Sequence, residues 1–80
     1  MYVSETYTEQ FLRSLEMRLA KPRIKTRVKI IRLACSGMSG REISLQVGLS
    51  ARRVYNWVTR FNQNGLIGLG VKPEIVKAGS

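Results

Sequence analysis

Between residues 51 and 64, the side chains best suited to hydrogen-bonding a polar partner recur at helical spacing: Arg52, Tyr55, Asn56, Thr59 and Gln63. At about 100° per residue these positions share one side of a helix. No acid interrupts them anywhere from Ile43 to Leu69. Their chemistry matches base-pair edges. A guanidinium can take both major-groove acceptors of guanine, a carboxamide can pair with adenine at two points, and a threonine methyl or tyrosine ring can contact the thymine methyl. Arg53 and Arg60, seven residues apart, share a shoulder of the same helix and suit phosphates beside a groove. Ser50 and the free amides at the helix start offer a further phosphate contact. The expected base-reading set is therefore Arg52, Tyr55, Asn56 and Thr59. The expected phosphate set is Ser50, Arg53 and Arg60, joined by Ser39 and Arg41 at an upstream helix start and by Lys25 and Arg27 from a basic stretch. The bland alternative for each is a solvated helix face.

The whole-chain charge favours the first interpretation. Fourteen Lys and Arg oppose five acids, all Glu (Glu5, Glu9, Glu16, Glu42, Glu74), for a net charge of +9 over 80 residues and a pI near 10.7. A domain this basic attracts polyanions, and neutralising phosphates releases condensed counterions. Double-stranded DNA is the expected partner. Catalysis is disfavoured by inventory: with neither His nor Asp, the commonest general base, the Ser-His-Asp triad and most metal sites are unavailable. No enzyme activity, cofactor, metal or small-molecule ligand is expected. Cys35 is the single cysteine, which precludes an internal disulfide and a thiolate cage; it falls on an apolar stripe and reads as a small core residue. No run of about 18 apolar residues exists to span a membrane, and Met1-Tyr2-Val3-Ser4-Glu5 lacks a secretory layout. The expected setting is cytoplasmic and nucleoid-associated.

The elements that must carry the stripe read as four helices and a short irregular C-terminal tail, an all-α domain. A first amphipathic helix is expected over residues 5–20, with a capping box at Thr6 and Glu9. Tyr7, Phe11, Leu15 and Leu19 lie along one side, to pack on the domain or to form a dimer face. Pro22 is expected to stop it. A second helix is expected over residues 24–36, with Ile24, Val28, Ile31 and Cys35 as its apolar stripe. Lys25, Lys29 and Arg32 form a basic ridge, and Leu33 lies roughly opposite the stripe. The run from Lys21 to Arg27 fits either a solvated linker or an arm touching phosphates or a minor groove. Ser39 and Glu42 form a capping box for a short helix to Val47, Gly48 and Leu49 a turn, and Ser50 the cap of a last helix to Asn64, closed by Gly65. The chain thus divides into residues 1–22 (amphipathic helix, candidate dimerisation element), 23–65 (DNA-binding) and 66–80 (tail). In the tail, Leu66–Leu69 is expected to fold back and the rest to be loosely ordered.

Two helices crossing steeply over a three- to four-residue turn need apolar residues at the crossing. Ile43, Ser44 and Val47, then Leu49, then Val54, Trp57, Val58 and Phe61 supply them. This is a helix-turn-helix from about Ser39 to Phe61. The pieces Gly37-Met38-Ser39-Gly40-Arg41-Glu42-Ile43, Val47-Gly48-Leu49-Ser50, Val54-Tyr55-Asn56-Trp57, Phe61 and Gly65-Leu66-Ile67-Gly68-Leu69 occur in order. Together they resemble the N-terminal helix-turn-helix of bacterial insertion-sequence transposases of the mariner-like superfamily, and related paired-type domains. The resemblance covers about Arg27 to Leu69. It implies binding to terminal inverted repeats, with the helix matching Ser50 to Phe61 in the major groove. Three functions follow as expectations: a dimeric sequence-specific regulator, a transposase-derived end-binding module without a catalytic domain, or a protein-interaction module whose basic surface is non-specific.

Overall fold

The computed structural model describes residue 3 and residues 7–78. Among them run α1 (Glu9–Arg18), α2 (Pro22–Cys35), α3 (Gly40–Val47), α4 (Ala51–Asn64), a 3₁₀ turn (Gly65–Leu69) and α5 (Pro73–Ala78). The all-α expectation holds. α2 is the hub, packed against α1, α3, α4 and the 3₁₀ turn.

Local chemistry explains most boundaries. Thr8 caps α1: its hydroxyl accepts from the Phe11 amide at 3.1 Å. Thr6 and the expected start at Glu5 lie outside the described residues. Pro22 opens α2 instead of merely ending the helix before it, occupying a first-turn position where its missing N–H costs no hydrogen bond and its fixed φ is already helical. The Lys21–Arg27 run is therefore largely helix, neither linker nor free arm. α3 carries the full capping box: Ser39 Oγ accepts from the Glu42 amide and Glu42 Oε1 from the Ser39 amide, each at 3.2 Å. The backbone hydrogen bond with Ser39, and then its side-chain one, hold the Glu42 carboxyl below its ordinary pKa. α3 ends at Gly48, whose φ of 74° is a left-handed conformation that a Cβ disfavours. Ser50 caps α4, its Oγ accepting from the Arg53 amide at 3.3 Å.

The core gathers one face from each helix. Leu12, Leu15 and Leu19 of the α1 region, Val28, Ile30, Ile31 and Ala34 of α2, Ile43 of α3, and Val54, Val58 and Phe61 of α4 are buried together. The apolar stripe of α1 is thus consumed within its own domain. Tyr7 stacks on Phe11 with ring centroids 5.1 Å apart and meets Phe61 edge-on at 6.1 Å, linking the start of α1 to α4. Cys35 and Leu33 are half-buried against the core. On the other flank of α2, Arg32 leaves the expected basic ridge: its Nε donates to Glu16 of α1 at 2.7 Å. α1 lies beside it, and a carboxylate at that distance outcompetes solvent as a partner.

Leu66–Leu69 folds back on the core as its sequence predicts, and the segment beyond it is more ordered than expected. Leu66, Leu69 and Val71 are buried, and the 3₁₀ turn lies close along α4. A Cβ on Gly68 would come within 2.7 Å of the Arg60 carbonyl oxygen, so that contact requires glycine. α5 follows and touches α1.

Candidate nucleic-acid interface

α3, the three-residue connection Gly48–Ser50 and α4 set the site. Val54, Val58 and Phe61 anchor the inner side of α4, which turns its other side outward. Arg52, Asn56 and Thr59 are exposed there, and Tyr55 is 55% exposed, so its ring is not spent on packing. Among the described residues no hydrogen bond or ion pair engages the side chains of Arg52, Arg53, Tyr55, Asn56 or Thr59. Their donors and acceptors are left to water or a ligand.

On the shoulder of α4, Arg53, Asn56, Trp57, Thr59 and Arg60 line an open hollow of ≈ 440 Å³. Two of the expected base readers and both α4 phosphate arginines therefore share one surface. Trp57 is half-buried between two guanidiniums: that of Arg27 lies 4.0 Å and that of Arg60 5.4 Å from its ring centroid. Such cation–π contacts restrict the arginines that make them, so Trp57 both packs the crossing and steadies Arg60. Arg52 and Tyr55 stand outside the hollow. Ser50 sits at the start of α4 as its cap. Ser39, Arg41 and Lys25 are exposed at the start of α3 and on α2, and do not line this hollow.

Arg27 takes a different place from the exposed one a phosphate ligand would suggest. Its Nη1 donates to the Leu69 carbonyl at 3.1 Å while its guanidinium covers Trp57. It ties α2 to α4 and to the 3₁₀ turn. The signal was present in the spacing: Arg27 stands three residues from Ile24, four from Ile31 and seven from Ala34, which is the inward arc of α2. A second residue, Arg23, was absent from the expected set. It lines a neighbouring cleft with Arg27 and Arg53, and only the basic composition of the Lys21–Arg27 run hinted at it.

Three helices around a shared core, the last two joined by a tight glycine turn and the third presenting an acid-free polar side, define a helix-turn-helix domain, a class that points to DNA binding. The family model for the homeodomain-like domain matches residues 21–70, which spans α2 through the 3₁₀ turn. The chain belongs to that family of helix-turn-helix domains. No curated protein and no solved structure gives a significant match. No helix among the described residues is long and apolar enough to cross a membrane.

Proposed function

We propose that the protein binds double-stranded DNA with sequence specificity, inserting α4 into the major groove, and serves as a small transcriptional regulator. One observation carries this reading: the outward side of α4 exposes Arg52, Asn56 and Thr59, with no acid on it and no partner for them among the described residues. Buried or exposed, polar groups seek hydrogen bonds, and these match base edges in type and spacing. Arg52, Tyr55, Asn56 and Thr59 read bases; Ser50, Arg53 and Arg60 hold flanking phosphates. Ser39, Arg41 and Lys25 reach more distant ones, and Arg27 contributes charge from its fixed place beside Trp57.

Binding as a homodimer would set two α4 helices about 34 Å apart on a two-fold symmetric site. With the apolar stripe of α1 turned inward, the contact would draw on exposed residues such as Met17, Leu45 or Ile67. Sedimentation at micromolar concentration tests it. A transposase-derived end-binding module is the second reading, supported by the ordered motifs from Gly37 to Leu69; footprints over inverted repeats beside the gene would favour it. The protein-interaction reading is weakened. The faces it needs, on α1 and in Leu66–Leu69, are largely buried in the domain's own core.

The experiment is equilibrium binding to a preferred duplex and to scrambled competitors. Arg52→Ala and Asn56→Ala should lose discrimination by roughly 10- to 100-fold, the cost of a bidentate base contact. Arg53→Ala and Arg60→Ala should weaken all duplexes alike. Equal losses on every duplex from all four variants would refute the division of roles.

A further inference from the structure

The cleft between α2 and α4 gathers positive charge without an acid among the residues that line it. Arg23, Arg27 and Arg53 line ≈ 390 Å³ of open space together with Thr26, Leu49 and Trp57. Arg23 and Arg53 have no ion pair or side-chain hydrogen bond among the described residues. Arg27 cannot swing away, because the Leu69 carbonyl and the Trp57 ring hold it. Thr26 is occupied within α2, donating to the Pro22 carbonyl at 3.0 Å. Like charges gathered beside apolar walls repel more strongly than they would in open water, and one anion between them would reverse the sign of the interaction.

We propose that this cleft clamps a single phosphodiester of the DNA backbone. Arg23 of α2 and Arg53 of α4 are its jaws, and Arg27 is a fixed charge at its back. The proposal rests on α4 being the groove-facing helix. Continuity of the surface favours a backbone phosphate over a detached anion: Arg53 and Trp57 also line the hollow that contains Asn56 and Thr59. A phosphate in the clamp would therefore adjoin the base-reading residues. Held from two helices, it would set the register of α4 along the groove, the positioning role that phosphate contacts play in protein–DNA recognition.

The salt dependence of affinity for a mixed-sequence duplex tests this, because its slope falls by about 0.9 for each phosphate no longer neutralised. Arg23→Ala and Arg53→Ala should each weaken binding roughly tenfold at moderate salt, the low end for a hydrogen bond to a charged group. Since both jaws grip one phosphate, the double variant should lower the slope by about one, not two. Arg23→Lys, which keeps the charge but not the fork, should recover part of the loss. All four variants change exposed positions, so circular dichroism should show the native helix content. An Arg23→Ala protein that binds like wild type overturns the clamp and leaves the groove-facing reading of α4 standing. A double-variant slope loss near two also overturns it, since each arginine would then have its own phosphate. Inorganic phosphate, followed by Trp57 fluorescence without DNA, separates the two sources. Saturable quenching that Arg23→Ala abolishes, alongside an unchanged DNA slope, would assign the cleft to a free anion and refute the DNA clamp. Failure of the wild-type protein to bind any duplex would overturn the groove-facing reading and the clamp together.

Discussion

Arginine is used in opposite ways in the α1–α2 seam and on the outward side of α4. In the seam it is neutralised: Arg32 of α2 pairs with Glu16 of α1 at 2.7 Å and reaches Glu9 at 3.8 Å, while Arg13 pairs with Glu9 at 2.8 Å on the exposed side of α1. On α4, Arg52 and Arg53 meet no carboxylate among the described residues, and the Arg60 guanidinium lies over the indole of Trp57. The acids are distributed to match. Glu9 and Glu16 face basic partners in the seam, Glu42 closes a capping box, and none lies on α4. Net charge alone would not reveal this. Positive charge is spent on folding in one region and left available in the other, which is the pattern expected of a polyanion-binding face supported by a self-contained scaffold.

The sharpest way to break this contrast is to remove both shoulder arginines. Arg53→Ala combined with Arg60→Ala should lower duplex affinity on the order of a hundredfold and reduce the salt slope by one to two. Its thermal unfolding should stay close to wild type, because neither residue has a carboxylate partner among the described residues and Arg60 gives up only an exposed contact with Trp57. Arg32→Ala should do the reverse. Arg32 and Glu16 side chains are only 15% and 18% exposed, so truncation strands a carboxylate; about 1–3 kcal/mol of stability should be lost in a urea titration. DNA affinity, measured well below the unfolding midpoint, should stay within twofold.

Smaller effects sharpen the picture. Glu42 has its pKa lowered by Ser39, so its contribution is full above the unfolded-state pKa, roughly 4.3. It fades as pH falls through the lower folded value. Amide exchange at the start of α3 should accelerate over that acidic window, and Glu42→Gln should remove the pH dependence. Smallest of all is Arg13→Ala. Its pair with Glu9 is more than 60% exposed on both sides, so the loss should be about 0.3–0.5 kcal/mol.

Legibility in the sequence follows the range of the interactions. The α3–turn–α4 unit could be read almost to the residue, because Ser39, Glu42, Gly48, Ser50 and Gly65 act on backbone groups within a few positions of themselves. The start of α1 could not, since Thr6 and Thr8 both have capping chemistry. The i, i+4 row through Tyr7, Phe11, Leu15 and Leu19 hid Leu12, which is fully buried and belongs to an i, i+3, i+7 row with Leu15 and Leu19. Arg27 and Arg32 show the limit most clearly. Their charge marks them as solvent or phosphate residues, whereas the neighbours that claim them, Leu69 and Glu16, lie 42 and 16 positions away. The apolar run Leu66–Leu69 announced its own return to the core, but the order beyond it was hidden: Val71 buries itself and α5 forms without a helical period to betray them.

Selection of bound sequences from a random duplex pool tests most directly whether the outward side of α4 reads bases. The wild-type protein should enrich one short motif, and Asn56→Ala should return the same motif with information lost at a defined adenine-containing position. Retention of duplexes without enrichment of any motif, or a motif unchanged by both Asn56→Ala and Arg52→Ala, would contradict the account.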